Sequence, residues 1–287
     1  MVMFVVMGAS GRVGGRVVEI LARAQLPVRA ISRQAREESR PNVEWAVADA
    51  FDPESLAEAF KGATSVFVLN AISPDVSDVH NEASRLSASI SAALLKASVP
   101  HVVALSSQGA QIPTGTGVVI SLNGFEAALR ETGLGVTYLR PAFFMESWVP
   151  LALSAAETGV FPAFLNPPEK AVDTVSALDV GRIAAESLLA REPGIVNITG
   201  PMRYSDEDAA RICAELLDRD IMTVPIPASE VASAHVAVGL SPSYASAIAE
   251  MYGAINADAI PFEQIGRAAS GKTTLYEVLG SGLSSPT

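Results

Sequence analysis

The stretch GASGRVG, Gly8–Gly14, constrains the possible folds of this chain more than any other. It follows the apolar run MFVVMG and opens RVGGRVVEILARAQ, where the apolar spacing predicts an amphipathic helix. A glycine-rich turn between a buried strand and a helix is typical of dinucleotide binding. Gly8 allows the tight turn, Gly11 lets a pyrophosphate approach the backbone, and Gly14 allows the helix to pack closely on the strand. The alternative is an ordinary strand–helix turn.

The rest of the N-terminal half repeats this rhythm. Further strands are predicted in VRAISR, NVEWAVADA, SVFVLNA, HVVALSS and GVTYLRPA, with amphipathic helices between several of them. Such alternation implies right-handed crossovers and a parallel sheet that is covered on both faces. We therefore predict an α/β fold, a Rossmann-type doubly wound sheet with a smaller C-terminal α+β lobe. The predicted parts are 1–141 for the nucleotide-binding core, 142–280 for a substrate lobe intertwined with it, and 281–287 for a disordered tail.

Charge and composition narrow the range of partners. The 287 residues carry a net charge of -11 and no basic run, which argues against nucleic acid or an anionic membrane as the main partner. No uninterrupted apolar stretch reaches the roughly 18 residues of a membrane span. The single cysteine excludes a disulfide framework and a cysteine-rich metal site. We expect a cytoplasmic monomer or homodimer that binds small molecules and no metal.

The end of the second strand predicts which dinucleotide is bound. AISRQ places Ser32 and Arg33 where an NAD-preferring site has an acid for the ribose 2′-hydroxyl. A guanidinium binds a 2′-phosphate through paired hydrogen bonds, and Arg12 in the glycine loop could flank the same phosphate. We therefore predict NADP(H) in preference to NAD(H); the alternative is that Arg33 is a solvated surface residue. The cofactor-binding residues predicted in the loop are Gly8, Ser10, Gly11, Arg12, Val13 and Gly14.

The chain resembles the NmrA-like group of atypical short-chain dehydrogenase/reductases over roughly residues 1–251. The resemblance lies in the order and spacing of GASGRVGGRVV, VRAISR, VADAFDPESLAEAFKGATSVFVLNA, VVALSS, TYLRPAFFMESW, VSALDVGRIAAESLLA, IVNITGP and YSDEDAARICAELL. Running from the adenine end to the nicotinamide end, the cofactor positions that it implies are Asp49, Ala50, Asn70, Ala71, Ser106, Ser107, Pro141 and Phe143. The substrate-pocket positions that it implies are Gln108, Phe144 and Trp148. Core packing is the alternative for Phe143, Phe144 and Trp148.

One departure from that group bears on catalysis. Typical short-chain dehydrogenases use a Tyr-x-x-x-Lys pair as a proton shuttle. Here GVVISLNGFEAAL places Val118 at the tyrosine and Leu122 at the lysine, so Asn123 is only a weak catalytic candidate. The resemblance favours an NADPH-dependent reductase of a quinone- or azo-type electron acceptor, whose product can take protons from water. The alternatives are a non-catalytic NADP(H) redox sensor that acts on a protein partner and, more weakly, a sugar-nucleotide epimerase or dehydratase.

A second glycine motif lies near the C-terminus. GRAASGKT, Gly266–Thr273, fits the phosphate-loop pattern G-x-x-x-x-G-K-[ST]. The preceding AIPFEQI is too broken by proline and charge for a central strand, and few residues follow the motif. Thr274 and Glu277 instead form a T-x-x-E capping box, which predicts a helix start. We therefore expect Lys272 to be a solvated loop residue and the motif to bind no nucleoside triphosphate.

Overall fold

Strands and helices alternate along the residues that this computed structural model describes, which are 2–36 and 40–284. The strands are β1 (Phe4–Val6), β2 (Val28–Ser32), β3 (Val43–Val47), β4 (Ser65–Leu69), β5 (His101–Leu105), β6 (Gly135–Pro141), β7 (Phe143–Phe144), β8 (Val160–Ala163), β9 (Val172–Val175), β10 (Gly194–Thr199), β11 (Arg203–Tyr204), β12 (Met222–Pro225) and β13 (Arg267–Ser270). The α-helices are α1 (Arg12–Arg23), α2 (Pro53–Phe60), α3 (Val79–Lys96), α4 (Ile120–Glu131), α5 (Val149–Thr158), α6 (Ala177–Ala190), α7 (Asp206–Leu217), α8 (Val231–Ala237), α9 (Pro242–Asn256) and α10 (Leu275–Ser284). Short 3-10 helices cover Gly117–Val119 and Met145–Trp148.

The central sheet is parallel throughout, in the order β13-β10-β6-β5-β4-β1-β2-β3. Helices α1 and α6 bury their apolar sides on one face, and α2, α3 and α4 bury theirs on the other. Covering both faces explains why the strands are nearly all apolar rather than alternating. The Rossmann-type doubly wound fold predicted from the sequence is confirmed.

The later part of the chain builds smaller sheets and also returns to the central one. Strands β11, β9 and β7 form a three-stranded sheet, and β12 pairs with β8. Met145, Trp148 and Phe161 lie in the apolar core of this region. Because β10 and β13 extend the central sheet beyond β6, both halves of the chain contribute to it. The domain boundary at residue 141 stays a prediction.

The C-terminal segment corrects one expectation. Helix α10 continues to Ser284, so the prediction of a disordered tail is wrong for residues 281–284. Residues 285–287 of that predicted tail lie outside the described residues. Within 2–36 and 40–284, no helix has both the length and the apolar composition required to cross a bilayer.

The second glycine motif contains a strand of its own. AIPFEQI is not a strand, as expected, but RAAS inside the motif forms β13, parallel to β10 at the edge of the sheet. The backbone amides of the segment that follows donate hydrogen bonds to other parts of the protein. Gly271 donates its amide hydrogen to the carbonyl oxygen of Thr199 at 2.7 Å. The amides of Lys272 and Thr273 donate to Oδ2 of Asp179 at 2.9 and 2.8 Å.

The capping box predicted at the start of α10 is present. The Thr274 amide donates to a carboxylate oxygen of Glu277 at 2.7 Å, and the Glu277 amide donates to Thr274 Oγ1 at 3.3 Å. Lys272 is exposed, and its ammonium group forms no hydrogen bond or ion pair with a described residue. The motif is therefore an edge strand and a capped helix start whose amide groups are already occupied.

Candidate active site

The first glycine loop leaves its helix N-terminus open. Gly8 has a φ of +66°, which favours glycine, and a Cβ at Gly14 would overlap the Gly8 carbonyl oxygen. The start of α1 has Gly11 as its N-cap and no side-chain cap. The amides of Arg12 and Val13 donate to no described residue. The end of the helix thus offers free N–H groups and a positive dipole end to an anion.

Two exposed arginines flank this loop. Arg12 begins α1, and Arg33 directly follows β2. Neither guanidinium makes a hydrogen bond or ion pair with any residue in 2–36 or 40–284. Ser32 is buried, and its hydroxyl donates to the Gln34 carbonyl at 2.5 Å. Within the part of the chain that the structure describes, both arginines are therefore unpaired beside the predicted 2′-phosphate position.

The residues predicted for the adenine side follow β3 and β4. Asp49 is exposed, and its Oδ1 accepts the Phe51 amide hydrogen at 2.9 Å, with Ala50 half-buried between them. The Asn70 side chain donates to the Ala83 carbonyl and to the Ser87 hydroxyl on α3. Its Oδ1 is buried without a partner among the described residues. The neighbouring Ala71 is exposed, so this end of the sheet presents one unoccupied acceptor beside an open surface.

A cavity of about 490 Å³ lies at the carboxyl ends of β5 and β6. Its lining includes five of the predicted site residues, which are Ser107, Gln108, Pro141, Phe143 and Phe144. A narrower cleft above the glycine loop is lined by Gly8, Gly11, Arg12, Val13, Gly14, Leu69, Leu105, Phe144, Glu146, Ser147 and Ala177. Phe144 and Ser147 line both spaces, so the cleft and the cavity are neighbours on either side of these two residues.

Glu146 supports the cleft from the 3-10 helix that follows β7. Its Oε1 accepts hydrogen bonds from the Ser176 hydroxyl and the Ala177 amide, both at 2.8 Å, and so holds the N-terminus of α6. Its Oε2 is buried and has no partner among the described residues. The sequence prediction missed this residue, although MESW directly follows the predicted wall of the site.

A buried ion pair joins the elements that precede Ser107 and Pro141 of the cavity lining. Glu126 on α4 and Arg140 on β6 are 0% and 2% exposed and form two hydrogen bonds, of 2.8 and 2.7 Å. Ser106 at the end of β5 donates to Glu126 at 2.6 Å, and Glu263 also accepts from Arg140. Burial alone lowers the pKa of Arg140, but hydrogen bonds to Glu126 and Glu263 outweigh it and raise that pKa. Arg140 therefore keeps its charge, and its contacts with Glu126 tie α4, β5 and β6 together.

Of the residues predicted for the nicotinamide end, the substrate pocket or catalysis, three do not line the cavity. The prediction that Trp148 lines the substrate pocket is wrong, because the 3-10 helix turns it into the core, where its indole donates to Asp206 at 2.6 Å. Asn123, the weak catalytic candidate, donates to the Ala110 carbonyl and does not line the cavity. Ser106 is buried, and its hydroxyl donates to Glu126. Val118, at the position of the missing tyrosine, does line the cavity.

The fold and the open helix N-terminus are those of a class of α/β proteins that bind a dinucleotide at the carboxyl ends of their strands. The comparisons are consistent with this class. Residues 8–190 match the NAD(P)H-binding family, and the chain belongs to that family. The free loop amides and the unpartnered oxygens of Asn70 and Glu146 fit such a cofactor, because it carries phosphates together with hydroxyl and amide donors.

Individual relatives are similar along nearly the whole chain. The NAD(P)H azoreductase of Xenophilus azovorans is 28% identical over 87% of this chain and 86% of its own length. The NADPH-dependent quinone oxidoreductase of Escherichia coli, solved with NADPH, has a TM-score of 0.80 at 20% identity, covering 97% of this chain and 99% of that one. The Citrobacter triphenylmethane reductase solved with NADP(H) has a TM-score of 0.77 at 23% identity, covering 98% and 100%. The two structures share the fold with this chain.

Proposed function

We propose that this protein is an NADPH-dependent reductase of a quinone- or azo-type electron acceptor, acting by direct hydride transfer. The observation that carries the proposal is that the proposed dinucleotide cleft adjoins a largely apolar cavity of about 490 Å³, with Phe144 and Ser147 lining both. A cavity of this size suits a drug-sized ligand with a few polar groups. The names of the azoreductase and quinone reductase relatives favour the same reaction class.

Within this proposal, the residues of the cleft hold the cofactor. The amides of Arg12 and Val13 at the start of α1 would bind the pyrophosphate. The free acceptor oxygens of Asn70 and Glu146 would accept hydrogen bonds from hydroxyl or amide groups. Bound NADPH would supply a hydride. Phe144 and Ser147, which line both the cleft and the cavity, would orient the cofactor toward the acceptor.

The proposed preference for NADP(H) depends on Arg33 and Arg12. Both guanidiniums are exposed and have no partner among the described residues, so a 2′-phosphate would not compete with an internal ion pair. We expect Arg33→Asp to weaken NADPH binding by roughly 10- to 100-fold and NADH binding far less. Isothermal titration with both cofactors measures this, with Arg211→Asp on the exposed side of α7 as the control. Equal losses for the two cofactors would remove the phosphate assignment.

A cofactor-oxidation assay tests the reaction itself. Purified protein is mixed with NADPH and a panel of benzoquinones, naphthoquinones and azo compounds, and the absorbance of NADPH is followed at increasing acceptor concentration. Saturable oxidation that depends on the protein supports the reductase. Oxidation that matches the protein-free rate for every acceptor contradicts it.

A redox sensor is the second candidate, and the missing Tyr-x-x-x-Lys pair favours it. Val118 and Leu122 occupy those positions, and Leu122 packs against the apolar core instead of entering the cavity. A sensor needs to bind NADP(H) and to change a contact with a protein partner, but it need not transfer hydride. Tight NADPH binding together with no oxidation of NADPH by any acceptor would favour this function over the reductase.

A further inference from the structure

One face of α9 forms a wall of the cavity. Tyr244, Ile248, Met251 and Ile255 all line it, at spacings of four, three and four residues. Residues at these spacings lie on one side of a helix. The wall is therefore an aliphatic stripe with one aromatic hydroxyl at its N-terminal end.

The packing of α9 fixes the position of Tyr244. A Cβ at Gly117 would overlap the carbonyl oxygen of Ala247, so the helix lies directly against the backbone of the 3-10 turn Gly117–Val119. The ring of Tyr244 packs in an apolar cluster with Val76, Val79 and Val118. The first turn of the helix is capped by Ser241, which accepts the Tyr244 amide hydrogen at 3.2 Å. A side chain held in this way loses little conformational entropy when a ligand binds.

The other polar side chains of the cavity are mostly engaged within the protein. The Ser107 hydroxyl donates to the Gln108 carbonyl, and the Gln108 amide donates to the Ile260 carbonyl at 2.7 Å. Asp173 pairs with Arg203, and Asp258 accepts two hydrogen bonds from Lys170. Ser147 is exposed at the junction with the cofactor cleft.

Tyr244 differs from the engaged groups and, unlike the exposed Ser147, is partly buried. Its hydroxyl makes no hydrogen bond with any residue in 2–36 or 40–284, although most of the ring is packed. A partly buried tyrosine hydroxyl normally finds a partner. We propose that the Tyr244 hydroxyl donates a hydrogen bond to the carbonyl oxygen or azo nitrogen of a planar, conjugated electron acceptor in this cavity. This proposal rests on the reductase function proposed above.

The role requires a neutral hydroxyl. Burial raises the pKa of Tyr244, so the group stays protonated at neutral pH and acts as a donor instead of a proton shuttle. The acceptor takes one hydride, with two electrons, from the cofactor, which becomes NADP⁺. Negative charge then develops on the acceptor oxygen or nitrogen, where the hydrogen bond from Tyr244 stabilises it. One proton from water completes the hydroquinone or hydrazo product.

Tyr244→Phe tests the proposal, with Tyr276→Phe as the matched control. Tyr276 is 45% exposed on α10 and does not line the cavity. With menadione as acceptor, we expect Tyr244→Phe to lower kcat by roughly 10- to 100-fold, as loss of one dedicated donor does. The control should keep the wild-type kcat. Both variants should bind NADPH as the wild type does, since neither residue lines the cofactor cleft.

A binding experiment separates this proposal from the reductase function. The affinity of the NADP⁺-loaded protein for menadione and for 2-methylnaphthalene, which lacks both carbonyls, is measured by tryptophan fluorescence. We expect Tyr244→Phe to weaken menadione binding by roughly 3- to 10-fold and to leave 2-methylnaphthalene binding unchanged. If no acceptor is reduced by the wild type, the reductase function fails while this comparison still tests Tyr244. Equal menadione affinities for Tyr244→Phe and wild type would overturn the proposal.

Discussion

The two glycine motifs of this chain resemble phosphate-binding loops to different degrees. In the structure, the motif with the better sequence match has the less available amide groups. The motif Gly266–Thr273 fits a phosphate-loop pattern fully, yet its amides are bound to Asp179 and to Thr199. The plainer Gly8–Gly14 leaves the first amides of α1 without a partner among the described residues. A loop can bind phosphate only when its N–H groups are free. The two loops therefore differ in whether their N–H groups already donate hydrogen bonds within the protein.

The largest expected effect is at Gly14. Gly14→Ala would place a Cβ against the Gly8 carbonyl oxygen, which is backbone and cannot rotate away. We expect a loss of about 3 kcal/mol in the free energy of unfolding and a marked loss of NADPH affinity. Urea unfolding and NADPH titration measure the two effects. Gly124→Ala is the control, because nothing lies within 4 Å of a Cβ there; an equally stable Gly14→Ala protein would contradict the close packing.

Asp179→Asn comes next. It removes the carboxylate that accepts two amide hydrogens, and hydrogen bonds to a charged group contribute about 2 kcal/mol together in such a site. We expect that loss of stability in urea, with NADPH affinity unchanged and no binding of ATP. Binding of ATP to Asp179→Ala, whose Lys272 and Thr273 amides are released, would show that the second loop retains phosphate-binding ability and would end the contrast between the two loops.

The pH dependence of stability sharpens the role of Asp179. Burial raises its pKa, but the hydrogen bonds from Thr273 and Lys272 and the nearby Arg182 outweigh burial, so the pKa falls below its ordinary value of 3.8. A group with a lowered folded-state pKa stabilises the protein fully above its unfolded value and loses this effect as the pH falls through the folded one. The difference in unfolding free energy between wild type and Asp179→Asn should thus be constant from pH 7 to 5. Below pH 3.8 it should shrink; a difference that grows with acidification would exclude the assignment.

Lys272 should give the smallest effect. The lysine of a working phosphate loop contacts the phosphates, but here it is exposed and has no side-chain partner among the described residues. We expect Lys272→Ala to change the free energy of unfolding by less than about 0.5 kcal/mol and to leave NADPH affinity and turnover unchanged. Thermal unfolding and the cofactor titration check this. A clear loss of NADPH affinity would assign this lysine to a binding site.

Features that depend on neighbouring residues could be predicted from the sequence. Three such features are found in the structure: the turn at Gly8–Gly14, the central strands up to β6 and the capping box at Thr274. The short strand β13 was missed because RAAS has no β-branched residue and pairs only at the sheet edge. The bond between Asp179 and Lys272 joins residues 93 apart, and no spacing rule indicates it.

The substrate pocket could be predicted from the sequence only in part. Gln108 and Phe144 line the cavity where the resemblance placed them, since both follow strands of the sheet. Trp148 was misplaced because a short 3-10 helix reverses its direction. Tyr244 was not singled out, because a helical pattern predicts which residues share a face but not what that face packs against.

The aliphatic stripe on α9 lies in a different part of the chain from the residues of the cofactor cleft. The residues that line the cofactor cleft end at Ala177, while Ile248, Met251 and Ile255 touch only the cavity. Single substitutions at these three positions can therefore reshape the space for the acceptor without altering any group that faces the nucleotide.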